Sequence, residues 1–161
     1  MSEHAQQATA GGMKGGYRRL LVMIVLSFIA MYVLMYAMVD RFANVYANLN
    51  QFYMAGLMTG AMVIIELSVM SGMYHNKKLN KLLLAASIVA LAACWFFIRR
   101  QTAISDRQFL ESMIPHHAGA ILMCQQAPIN DAEIHSLCQE IVLGQQKEID
   151  QMKGKLQELD R

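Results

Sequence analysis

The chain has 161 residues, 55% of them hydrophobic and 16% charged. That length bounds it at one or two small domains, and its charged fraction falls well below the soluble average of about 25%. A formal net charge of +2 without a basic patch argues against nucleic-acid partners, and three cysteines with no Cys-x-x-Cys pair imply no disulfide framework. The charge deficit is local, because residues 17–98 are sparsely charged and the segment from Arg99 is charge-rich. Fourteen methionines are the compositional outlier. Methionine is ordinarily adaptable apolar filler, so a chemical role for it needs support from position.

Residues 1–16 carry two Gly-Gly pairs, Gln and Ala with no apolar period, and read as a disordered tail. Leu20 to Val39 is then an unbroken apolar run between Arg18-Arg19 and Asp40-Arg41. Its length of about 20 residues matches the ~30 Å hydrocarbon core of a bilayer. A cleavable signal peptide ending near Val45-Tyr46-Ala47 competes, but signal cores run only about 7–15 residues, which favours a retained anchor. After a short polar link, a second span covers about 52–74, with Gly56, Gly60 and Gly72 as small packing positions. A third covers about 82–98 and carries Trp95 near its end as an interfacial anchor.

Flanking cations orient these spans. With the N-terminus inside, Lys14, Arg18, Arg19, Lys77, Lys78 and Lys81 lie inside, and Arg41, Arg99, Arg100 and Arg107 outside. The bias expects a cytoplasmic N-terminus and an extracytoplasmic tail, as in a bacterial inner-membrane protein facing the periplasm.

The tail, 101–161, reads as two helices. Ser105 with Gln108 forms one capping-box pattern and Asn130 with Glu133 a second, on either side of a break at Ala127-Pro128. Ile134, Leu137, Ile141, Ile149, Met152, Leu156 and Leu159 share one face of the second helix. The fold expected is therefore all-α, with a three-helix transmembrane domain over 17–100 followed by an extramembrane antiparallel hairpin. A lone hairpin has little core, so pairing of two copies into a four-helix bundle is the economical completion, and a homodimer is expected.

Chemistry concentrates at Met113-Ile114-Pro115-His116-His117. Thioether sulfur and imidazole nitrogen together suit a soft late metal, Cu(I) above all. Met113, His116, His117, Ala120, Met123 and Cys124 fall along one side of the first hairpin helix. Folding about Pro128 sets Met123 near His135, and His117 near Glu140 and Ile141. Pro115 either kinks the helix and re-aims the two imidazoles, or marks the helix start. Within the membrane, Met54, Met58, Met62 and Met70 run along the second span beside Glu66. That carboxyl has no cationic partner in the spans. It is expected to be protonated, bonded to Ser68 or Thr59, or part of an ion path with the methionines.

The tail resembles the domain-of-unknown-function 305 family over about 105–159. The resemblance is carried by Asp106, Phe109, Met113-Ile114-Pro115-His116-His117, Ala120 and Met123, then Gln145 or Gln146, Glu148-Ile149 and Met152. It implies a ferritin-like helical bundle and a copper-binding role for Met113, His116, His117, Met123 and Met152. Further candidates are His135, Glu148, and Cys124 and Cys138 as thiolates; the two cysteines stand where the family more often has small apolar residues. The spans lie outside this resemblance. The function expected is copper sequestration, tolerance or handover at the non-cytoplasmic membrane face, with a copper donor or acceptor protein as partner. The alternative is a structural or signalling membrane protein whose hairpin only dimerises. A ferritin-like oxidase would want a Glu-x-x-His on each of two helices, and the tail has none, so the expectation is binding without turnover.

Overall fold

The computed structural model describes residues 3–161, with side chains from Gly16 onward. Five helices make up the frame: α1 (Glu3–Leu34), α2 (Leu49–Val69), α3 (Lys77–Arg100), α4 (Asp106–Gln126) and α5 (Ala132–Leu159). Three single turns of 3-10 helix join them, and the described residues contain no strand. The backbone is helical from Glu3, where the sequence suggests a disordered tail. Glu, Ala and Gln favour helix, and no proline interrupts the stretch. Met1 and Ser2 lie outside the described residues.

Three segments are long and apolar enough to cross a membrane: Gly16–Met38, Leu49–Val69 and Lys77–Arg100. The second stops at Val69 rather than near Tyr74, and the third starts at Lys77 rather than Leu82. Asn76 accepts the Leu79 N–H at 3.0 Å and so opens α3. Asn48 does the same for α2, accepting the Gln51 N–H at 2.9 Å.

The chain divides into two compact units, and the division does not follow the sequence boundary near residue 100. One unit comprises the described residues up to 32 together with 53–100, the other 33–52 and 101–161. In the first, Leu20, Val63, Leu67 and Tyr74 form a small buried cluster. A methyl group on Gly56 would lie 2.9 Å from Cys94 Sγ, and one on Gly60 3.3 Å from Leu91 Cβ, so α2 and α3 approach closely there. Gly72 has nothing near it and packs against nothing. Leu21, Leu26, Ile65, Val69, Leu82 and Val89 are exposed, as suits a lipid-facing surface.

In the second unit, α4 and α5 run in opposite directions. Ser105 caps α4 as its spacing predicts, accepting the Gln108 N–H. Asp131, not Asn130, caps α5, taking the N–H groups of Glu133 and Ile134. Pro115 sits inside α4 rather than at its start. Ile114, Ala118 and Ile121 from α4 meet Ile149 and Leu156 from α5 in the core. Val39 and Tyr46, from the link between α1 and α2, pack against the same cluster. Backbone and side-chain bonds tie that link down. Gln108 accepts the Leu49 N–H at 2.8 Å, Lys153 donates to Asn44 at 2.6 Å, and Asn50 bonds Gln101 and Ser112. Part of the core that the sequence reading assigned to a second copy is thus supplied by residues 33–52 of the same chain.

Of the expected apolar face of α5, Ile149 and Leu156 are buried while Ile134, Leu137 and Leu159 are exposed. Ile149→Ala is expected to cost about 2–5 kcal/mol in a denaturation experiment. Ile134→Ala should stay within about 0.5 kcal/mol for the single chain. Equal costs would contradict the core described.

Candidate metal site on helices α4 and α5

Two i,i+4 pairs face each other. Met113 and His117 lie on one side of α4, and Glu148 and Met152 on one side of α5. The His117 Nε2 to Glu148 Oε2 distance is 2.7 Å. In an antiparallel pair, setting His117 against Glu148 brings Met113 level with Met152. All four line one groove of about 610 Å³, together with Phe109, Leu110, Gln151, Gly154, Lys155 and Glu158. Sulfur, nitrogen and carboxylate oxygen therefore open onto one space.

The imidazole is held at both ends. His117 Nδ1 is 2.9 Å from the Met113 carbonyl oxygen, which only accepts, so Nδ1 carries a proton and donates it. Nε2 is then the nitrogen that faces Glu148 and the groove. That nitrogen can bond the carboxylate or offer a metal its lone pair, but not both at once, and the Nδ1–H bond to a backbone carbonyl fixes ring and tautomer. The His117 side chain is 11% exposed, whereas that of Glu148 is 55% exposed. The imidazole is a near-buried group reachable from one side.

Other sequence candidates fall elsewhere. His116 is exposed and does not line the groove; its ring centroid is 6.1 Å from that of His117. Adjacent helical residues diverge by about 100°, and here that turns His116 away from the groove that His117 lines. Met123 is 53% exposed and also outside the groove. Cys124 and Cys138 are joined in a disulfide with a Cα–Cα distance of 5.2 Å. This corrects both the expectation of no disulfide and the candidacy of these residues as thiolates, since a cystine offers none. His135 lines a separate groove of about 490 Å³ beside that cystine. Among the described residues, no three His, Cys, Asp or Glu side chains gather as a ligand set, so any metal at the first groove draws on thioethers.

The register explains what sequence reasoning missed. Folding at Pro128 paired His117 with Glu140, but the partner is Glu148, two helical turns further on. Ala127 is extended after α4 and Asp131 opens α5, so the connection is longer than a tight turn. The i,i+4 spacing of Glu148 and Met152, matching that of Met113 and His117, was the available signal.

Glu66 is also partnered differently from the expectation. Tyr74 Oη donates to Glu66 Oε1 at 3.1 Å, while Ser68 bonds the Ile64 carbonyl and Thr59 meets Met31 Sδ. Burial first, then the bond to and charge of Glu66, push the Tyr74 hydroxyl above its ordinary value. Met54, Met58 and Met70 are exposed, whereas Met62 packs against the buried cluster. These methionines do not share one lining.

The helix pair thus sets a Met-His edge of α4 against a Glu-Met edge of α5. The family model described as domain of unknown function (DUF305) matches residues 48–156, and the chain belongs to that family. The match takes in α2 and α3, so the second and third apolar segments are not outside it as the sequence resemblance suggested, whereas the first, Gly16–Met38, is. An uncharacterised protein of Acanthamoeba polyphaga mimivirus is 32% identical over 142 residues, covering 86% of this chain and 91% of that one. No solved structure matches.

The disulfide closes a loop with a sequence separation of 14. Opening it with a dithiol reductant is expected to cost the helix pair about 3 kcal/mol, read as a lower Tm. Cys124→Ser/Cys138→Ser should begin at the lower Tm and not respond to reductant. A wild-type Tm indifferent to reduction would contradict this.

Proposed function

We propose that this is a membrane-anchored protein that binds Cu(I) in the groove between α4 and α5, for sequestration, tolerance or handover at the non-cytoplasmic face. One observation carries the reading: Met113 and His117 face Met152 and Glu148 across a shared groove. Two thioethers and one imidazole form a soft donor set that suits Cu(I). Zinc prefers cysteine, histidine and carboxylate in greater number than the groove supplies. Glu148 contributes negative charge beside the cation, and the Met113 carbonyl keeps His117 Nε2 aimed inward.

Chain connectivity and redox chemistry support this location. If all three apolar segments cross the membrane, an odd number of crossings leaves the start of α1 and the α4–α5 pair on opposite sides. A disulfide within the hairpin suits an oxidising compartment, the periplasm if the host is a Gram-negative bacterium. The N-terminus is then cytoplasmic, in agreement with the cation bias. His116 and Met123, exposed on α4, are suited to passing copper to or from a partner protein. Exposed Phe109, Ile134, Leu137 and Leu143 offer apolar surface for a homodimer. That same surface supports the alternative, a structural or signalling protein whose hairpin dimerises without metal.

Copper retention separates the two. Purified full-length protein loaded with Cu(I) and passed through desalting should hold copper by elemental analysis, and hold far less zinc after parallel loading. Met113→Ala/Met152→Ala and His117→Ala should each lose at least about tenfold in affinity, the order of effect seen on removing a contact from a metal site. Equal retention by wild type and by Met113→Ala/Met152→Ala would overturn the site. No retention by wild type would leave the dimerisation reading.

A further inference from the structure

The first unit contains a second groove, unrelated to the methionines and histidines of α4 and α5. It has a volume of about 460 Å³ and is lined by Ser71, Tyr74, His75, Lys77, Asn80 and Lys81. We infer that it holds the phosphate headgroup of an anionic phospholipid.

The floor of this groove is built and satisfied. Tyr74 is 5% exposed, and its ring lies 5.4 Å from that of Tyr17. Tyr17 Oη donates to Asn80 Oδ1 at 2.7 Å, and Asn80 Nδ2 donates to the Tyr74 carbonyl at 2.7 Å. Tyr74 Oη is used on Glu66. The floor groups therefore fix the shape of the groove and already bond one another.

The rim differs. Lys77 and Lys81 are one helical turn apart on α3, His75 precedes them, and all three are exposed. None of these three makes an ion pair among the described residues, although ion pairs occur elsewhere in the chain. Nor can this unit supply one from its described side chains. From Gly16 to Tyr32 and from Tyr53 to Arg100 the only acidic residue is Glu66, which is engaged by Tyr74. Any anion these lysines bind therefore comes from outside the described side chains of this unit.

Depth identifies its source. The contact between Tyr17 and Tyr74 sets Arg18 and Arg19 at the same end of the unit as Lys77, Lys78 and Lys81. Lys81 and Arg99 bound the apolar stretch of α3 and lie about 27 Å apart along a helix rising about 1.5 Å per residue, close to the ~30 Å of a hydrocarbon core. The rim cations thus stand at the level of lipid phosphates. Exposed Val69, Met73 and Leu82 continue from the groove as apolar surface for the acyl chains. A phosphatidylcholine phosphate has its charge cancelled by choline, whereas an anionic lipid leaves it for the lysines. The inference rests on the spans crossing a membrane and is independent of copper.

Native mass spectrometry of the full chain from mixed micelles tests it. Wild type is expected to retain phosphatidylglycerol over phosphatidylcholine. Lys77→Gln/Lys81→Gln should lose that preference, by on the order of tenfold for two phosphate contacts. Lys77→Arg/Lys81→Arg should keep it, which separates loss of charge from loss of fold. Arg18→Gln/Arg19→Gln removes the same charge at the same level and should also keep it. Loss of preference in the Arg18/Arg19 variant to the same degree would show diffuse surface charge and overturn the groove. Retention by Lys77→Gln/Lys81→Gln would overturn it too. Inorganic phosphate that displaces the lipid at equal concentration would identify a free-anion site and overturn the lipid assignment. A wild-type chain that floats with no vesicle of either lipid would contradict the spans and the groove together, leaving the copper reading to its own test.

Discussion

The register between α4 and α5 is the constraint on which the candidate site depends. It is pinned at the turn by the Cys124–Cys138 bond, midway by His117 against Glu148, and at the open end by Arg107 bonded to Asp160. A slip of one turn would carry Met152 past Met113 and leave a thioether facing the wrong neighbour. The ion pairs have solvent-exposed carboxylates and contribute little to stability. They select the alignment, while the disulfide and the buried Ile114, Ile121 and Ile149 hold it. Pro115 fits within this arrangement because α4 continues through it, with the histidines following on the next positions.

The same unit shows how two helices gain a core. Two helices alone leave Ile114 and Ala118 with one covered side. The link between α1 and α2 supplies Val39 and Tyr46 to the other, and the Met38 carbonyl lies 3.5 Å from where a Gly119 methyl would sit. A methyl group at 119 would meet the link in ordinary van der Waals contact, so the link lies directly against α4. The link is therefore structural, although it is polar in sequence and sits between two apolar runs. Its Asn44 is fully buried, bonded to Asp40 and Lys153, which explains asparagines that in sequence resemble ordinary loop residues.

Much of the fold was legible because it depends on composition and period. Apolar runs long enough for a bilayer declare themselves, and Ser105 with Gln108 marks the start of α4. The errors fall where one side chain outbids a pattern: Asn76 starts α3 early, Asp131 takes the cap expected of Asn130, and Tyr74 reaches Glu66 from beyond the helix end. For the site, the residue types were legible but the partition was not. Met113, His117 and Met152 meet in one groove, while His116 and Met123 stay outside it and Glu148 enters. That partition depends on the antiparallel register, hence on five connecting residues whose conformation no periodicity encodes. The cystine was hidden for the same reason, since Cys124 and Cys138 are neighbours only once the register is set.

Copper coordination is the central claim, and X-ray absorption of the Cu(I)-loaded full-length protein addresses it most directly. The expected spectrum is that of Cu(I) with a mixed first shell, sulfur from Met113 and Met152 and nitrogen from His117. The sulfur contribution should fall in Met152→Ala and the nitrogen contribution in His117→Ala. A first shell of nitrogen and oxygen alone, or one unchanged in both variants, would contradict the site.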